Sequence, residues 1–190
     1  MFDPSAAPLV SILQGVVLVM LLVITSWTDT RTAKIRNIHT FPSMLAGLLL
    51  GLAGGGVNGL LTSASGLVAG FLLMLPLFVL HIMKAGDAKL LMAIGAIAGP
   101  GIAVRALFAS FVLFLPVALV ILTVRGGWSN MGLAFTRIWR FLYTTLHPGR
   151  VTEPINLPEG IWTPFAMVLG VATLVVWQTS FLDFGLNLGR

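Results

Sequence analysis

The stretch LLMAIGAIAGPGIAVRALFASFVLFLPVALVILTV, residues 90–124, decides how many times this chain crosses a membrane. It is too long for one comfortable span and short for two, since a helix needs about 20 apolar residues to cross a bilayer. Gly99-Pro100-Gly101 divides it, and Arg105 lies just beyond the division. Charge bias chooses between the two counts. With two crossings, the inner segments hold Arg31, Lys34, Arg36, Lys84, Lys89, Arg125, Arg137, Arg140 and Arg150, leaving Arg105 and Arg190 outside. With one crossing, the basic segment from Arg125 to Arg150 falls outside, against the positive-inside rule. The sequence therefore predicts two helices here, over about 88–100 and 102–124.

Outward from that stretch, the chain is of the same character. Of 190 residues, 57% are hydrophobic and 9% charged, far below the roughly 25% charged residues of an ordinary soluble domain. The reading is an all-α, polytopic membrane protein forming one domain over 1–190, with six transmembrane helices. Upstream spans are expected at about 8–27, 38–53 and 60–83, and a last one at about 161–181. Gly54-Gly55-Gly56-Val57-Asn58-Gly59 reads as an uncharged turn, and Pro76 as a kink. Gly47/Gly51 and Gly66/Gly70 have the small-xxx-small spacing that permits close helix approach in lipid. Over 131–146, Met131, Ala134, Phe135, Ile138, Leu142 and Leu146 line one face and Arg137 and Arg140 the other. This is expected to be a basic helix in the inner interface, in contact with membrane lipid, or a helix on the inner end of the bundle.

Several function classes drop out. The net charge of +5 comes without a basic run or an interleaved aromatic pattern, so nucleic-acid binding is not expected. There is no cysteine, which removes disulfides, thiolate metal sites and a cysteine nucleophile. His39, His81 and His147 lack metal-ligand spacing, and no metal or organic cofactor is predicted. Met1-Phe2-Asp3-Pro4 lacks a basic n-region and the first apolar run is too long for a signal peptide. That run is expected to be a retained span, with both termini outside.

Charged residues at membrane boundaries are functional candidates by default, and two aspartates qualify. Asp87 lies in Lys84-Ala85-Gly86-Asp87-Ala88-Lys89, and Asp29 at the end of the first apolar run. Two crossings separate them, so both fall on the cytoplasmic side. If the helices that carry them are neighbours, the carboxylates can share a water. Paired carboxylates that close do not both ionise easily, and one proton is shared. The ionised partner can then accept a proton from water while the protonated one donates to a scissile carbonyl. The plainer readings stay open: Asp87 as a helix N-cap, Asp29 as a hydrated interfacial residue, and the lysines and arginines as orientation-setting charges.

Two motifs add to this. Gly86-Asp87-Ala88-Lys89 resembles the GxGDxK signature of the type IV prepilin peptidases, membrane aspartyl proteases. Asp29 through Asn37 resembles their first motif, matching at Asp29, Arg31, Ile35 and Asn37. Pro164-Phe165-Ala166, with Gly170, is similar to the start of their final helix. The resemblance implies Asp29 and Asp87 as catalytic residues, supported by Gly86, Lys89, Arg31 and Asn37. It implies prepilin or pseudopilin substrates, cut at the cytoplasmic face of the bacterial inner membrane, and pilus-assembly machinery as partner. A homo-oligomer is left open.

The chain is short and lacks the cysteine-containing cytoplasmic region of longer family members. It therefore looks like the type serving Flp, or tight-adherence, pili, and methyl transfer is not implied. Two positions depart from the family pattern. Lys84 stands where glycine is usual, and Arg36 replaces the proline of Ile-Pro-Asn. Two other readings remain: a small transporter using the aspartates as cation or proton sites, and a non-catalytic pilus-assembly partner.

Overall fold

A computed structural model describes residues 8–32, 35–79, 83–117, 120 and 165–187. Among the described residues every regular element is an α-helix: α1 (Pro8–Thr32), α2 (Asn37–Val79), α3 (Ala85–Ala98), α4 (Pro100–Val117) and α5 (Phe165–Asn187). The expected interfacial helix over 131–146 lies outside them. Leu9–Thr32, Asn37–Phe78 and Pro100–Val117 are long and apolar enough to cross a membrane, which makes this a helical membrane protein. The described residues up to Leu113 and from Phe165 onward cluster as one compact unit; Phe114–Val117 and Val120 belong to a second.

Pro8 opens α1, where its missing N–H costs nothing. Gln14, Leu18, Leu21, Leu22, Thr25 and Asp29 are buried, and their spacing of three and four residues makes one helical stripe. Leu9, Leu13, Val16, Met20, Val23 and Trp27 are exposed on the other side. The helix was expected to end at Trp27, but it continues a further turn to Thr32. In this last turn the threonine hydroxyls donate back to helix carbonyls, Thr28 to Ile24 at 2.9 Å and Thr32 to Thr28 at 2.7 Å. Asp29 stays on the buried stripe.

α2 runs without a gap across the expected turn at 54–59, yet it is two arms. Its non-helical angles fall at Gly55 (φ −130°, ψ 15°) and Gly56 (φ 57°, ψ −140°), while Pro42 and Pro76 sit inside the arms. Gly56 occupies a backbone region that a side chain would strain. Beyond it the chain folds back, so that the Ser63 hydroxyl donates to the Gly47 carbonyl at 3.3 Å.

Both arms close on α3. A Cβ at Gly47 would meet Ala96 backbone, and one at Gly66 would strike the Gly95 carbonyl. Gly70 lies equally close to Leu91 backbone. Backbone cannot step aside as a flexible side chain can. We therefore expect Gly66→Leu to lower the melting temperature in detergent, with a cost at or above the typical ~1–3 kcal/mol of overpacking. Gly55→Ala, at a position with open space and negative φ, is expected to melt like the native chain. Equal melting of the two variants would show that this close approach does not hold the bundle.

α3 is the middle of the bundle, touched by both arms of α2, by α1 and by α5. Leu90, Leu91 and Ala93–Ala98 are buried, the mark of a helix surrounded on all sides. It begins three residues earlier than expected, at Ala85, with Lys84 as N-cap. It ends at Gly99 (φ 84°), whose N–H donates to the Gly95 carbonyl at 2.8 Å. The Gly99 carbonyl then accepts from Ala103, so one residue closes α3 and opens α4. α5 docks on α1, with Trp177 against Gly15 and Gly170 near Ser26.

Candidate active site

Helical periodicity brings Asp29 inward: it lies one turn beyond Thr25 on the buried face of α1 and is 6% exposed. Its Oδ2 accepts a hydrogen bond at 3.2 Å from the backbone N–H of Ala166, in the first turn of α5. Such a first-turn amide has no partner within its own helix, and the helix dipole favours negative charge there.

Asp87 is the third residue of α3 and is 7% exposed. It is not the N-cap that sequence alone allowed. Its Oδ2 instead accepts from the N–H of the N-cap, Lys84, at 3.2 Å. This is one half of a capping box; a lysine side chain has no acceptor with which to complete the other. Each carboxylate thus has one oxygen tied to a backbone amide. The two Oδ1 atoms make no hydrogen bond among the described residues.

The elements carrying the two aspartates, α1 and α3, are in contact. Asp87 precedes the apolar part of α3 and lies outside the candidate spans. Burial pushes its carboxyl up to about 6, and the nearby Asp29 carboxylate adds to this. The bond from the Lys84 N–H and the Lys84 ammonium oppose it. Asp87 is therefore suited to carry a proton where an ordinary carboxyl would have lost it.

The residues around the aspartates interlock across the two motifs. Lys89 Nζ donates to Asn37 Oδ1 at 2.9 Å and lies 5.8 Å from the centre of the Phe41 ring. Gly86 lies against Ile35, where an added Cβ would come within 3.1 Å of the Ile35 Cβ. The start of α2 and the start of α3 are so joined at two points. Arg31 does not join this group; its guanidinium stacks on the exposed Trp27 ring at 4.2 Å. Arg36, despite the absent proline, immediately precedes α2, its carbonyl accepting from His39 N–H at 3.2 Å.

Two parts of the site escaped sequence reasoning. The Ala166 amide had only the Pro164-Phe165-Ala166 resemblance to point at it, and a backbone group leaves no signature of its own. Lys84 was read as a departure from a motif, although its N–H holds Asp87.

Membrane-length helices and two buried carboxylates on contacting helices, each with one oxygen anchored to a backbone amide and one without a hydrogen bond among the described residues, define a helical membrane protein with a candidate acid–base site. The model of the type IV leader peptidase family matches residues 16–119, which is 104 of the 190 residues and includes Asp29 and Asp87. The chain belongs to that family, the aspartic-type prepilin peptidases, and is an endopeptidase of that kind. Ala166 lies outside the matched region. Comparison with curated proteins and with solved structures finds no match.

Proposed function

We propose that this chain removes the basic leader of prepilins or pseudopilins of the Flp, or tight-adherence, class at the cytoplasmic face of the inner membrane. Asp29 and Asp87 are its catalytic residues. The observation that carries this reading is the pair of buried carboxylates on contacting helices inside the family-matched region, each with an Oδ1 that makes no hydrogen bond among the described residues.

A water between those oxygens gives up a proton to ionised Asp29 as its oxygen attacks the scissile carbonyl. Protonated Asp87 donates to the carbonyl oxygen as the tetrahedral intermediate forms. Collapse breaks the C–N bond, and the leaving amine takes a proton from the pair. The topology we propose has six crossings, with the two arms of α2 counted separately. The fold-back at Gly55 and Gly56 supports that count, and so does the charge bias.

The test is leader removal from a co-expressed prepilin of the same genome, read as a mass shift. Failure on every such prepilin would remove the peptidase reading and favour a non-catalytic assembly partner. The pH profile adds a sharper expectation. Because Asp87 must hold its proton, kcat/KM falls as pH rises through about 6, approaching about tenfold per unit beyond it. The Lys84 ammonium lowers that value, so Lys84→Met is expected to move the falling limb to higher pH. A limb that stays in place speaks against Asp87 as the acid.

A further inference from the structure

Two lysines flank Asp87, and the structure uses them differently. Lys89, the one the family motif contains, is committed to Asn37 and Phe41. Lys84, which stands in place of a glycine, is exposed. Its side chain makes no hydrogen bond or ion pair among the described residues. Yet its charge is felt at Asp87, to whose Oδ2 its own backbone N–H donates at 3.2 Å. Next to Asp87 there is therefore an exposed cation, without a side-chain partner among the described residues, that a glycine would not supply.

We propose that Lys84 is a carboxylate-binding residue of this site, taking the C-terminal carboxylate that hydrolysis creates on the released leader. The inference rests on the peptidase reading above. In that reaction the water oxygen joins the scissile carbon, the C–N bond breaks, and the acid formed loses its proton to become a carboxylate. This anion arises next to the two aspartates, which repel it. With glycine at position 84 repulsion would expel it; an ammonium there offsets the repulsion and holds it. The cut leader is then a product inhibitor, and its release is slowed.

The experiment uses the full chain in detergent micelles and two fluorescein-labelled peptides of a same-genome prepilin leader. One ends in a free carboxylate at the cleavage residue and the other in the corresponding amide. Anisotropy reports binding without requiring cleavage. The native protein is expected to bind the acid about tenfold more tightly, as for a hydrogen bond to a charged group. Lys84→Met should lose that preference while keeping the native affinity for the amide, which also shows that it is folded, and Lys84→Arg should retain the preference. Equal affinities in the native protein, or a preference that survives Lys84→Met, overturn the proposal. Binding of neither peptide, together with no cleavage of any prepilin, removes the peptidase reading as well; cleavage with equal affinities removes this proposal alone.

Discussion

Asp29→Asn and Asp87→Asn are each expected to reduce prepilin cleavage by about 10⁴-fold, the upper end of what one acid or base contributes. Asparagine nearly preserves the shape of aspartate and can still accept from Ala166 or Lys84 N–H through its side-chain oxygen. What it lacks is the ability to take or give a proton. The two losses are not expected to add. Groups that act as a unit fail together, so the double variant should be about as inactive as either single one. Membrane insertion and melting temperature serve as controls, and both should remain close to native. Normal cutting by both single variants would make the aspartates structural, as cap and interfacial residue, and the catalytic assignment would fall. Additive losses would mean that the two carboxylates act independently and do not share a proton.

The second large effect is expected from the far end of the chain. Ala166→Pro removes the one N–H that Asp29 Oδ2 accepts at a first-turn position of α5, where proline's missing donor breaks no helix hydrogen bond. A hydrogen bond to a charged group contributes about 1.5–3 kcal/mol. The expected result is therefore a fall in kcat of about 10- to 100-fold with KM little changed. Ala166→Gly keeps the N–H and should retain most of the activity. The pair separates loss of the donor from a general disturbance of α5. If the proline variant cuts at the native rate, the Ala166 amide does not position Asp29. If the glycine variant is equally impaired, packing of the Ala166 side chain, which is fully buried, is the cause.

Asp29 and Asp87 stood out in the sequence because acidic residues are rare at the ends of these apolar segments, while Asn37 and Lys89 were named only through the motif resemblance. Their partners were legible only in part. Nothing in the order of residues distinguishes Lys89 as the partner of Asn37 from Lys89 as a counter-charge for an aspartate. The distance of 2.9 Å between Nζ and Oδ1 makes the first assignment. Arg31 matched the motif in spacing, but the α1 helix continues past Asp29 and carries Arg31 to the exposed face over Trp27. A one-turn error in a helix end is enough to misplace a side chain, since each residue turns the direction by about 100°.

The glycine pairs show the same division. Gly47/Gly51 and Gly66/Gly70 were recognisable as places where backbones can approach. Which backbone approaches was not: Gly47, Gly66 and Gly70 meet α3, while Gly51 meets the other arm at Gly59 and Ser63.

By itself the sequence determined the helical membrane class, the reversal among the glycines at 54–59, and the two carboxylates at the ends of apolar runs. Hydropathy, glycine content and charge are local properties, and local properties are written residue by residue. Only the tertiary structure decided that the first turn of α5 supplies the donor to Asp29 and that the lysine of the motif holds Asn37. Those are distances between segments far apart in the chain, made in one case by a backbone amide of the kind that every residue except proline carries, and the order of residues does not say which segments meet.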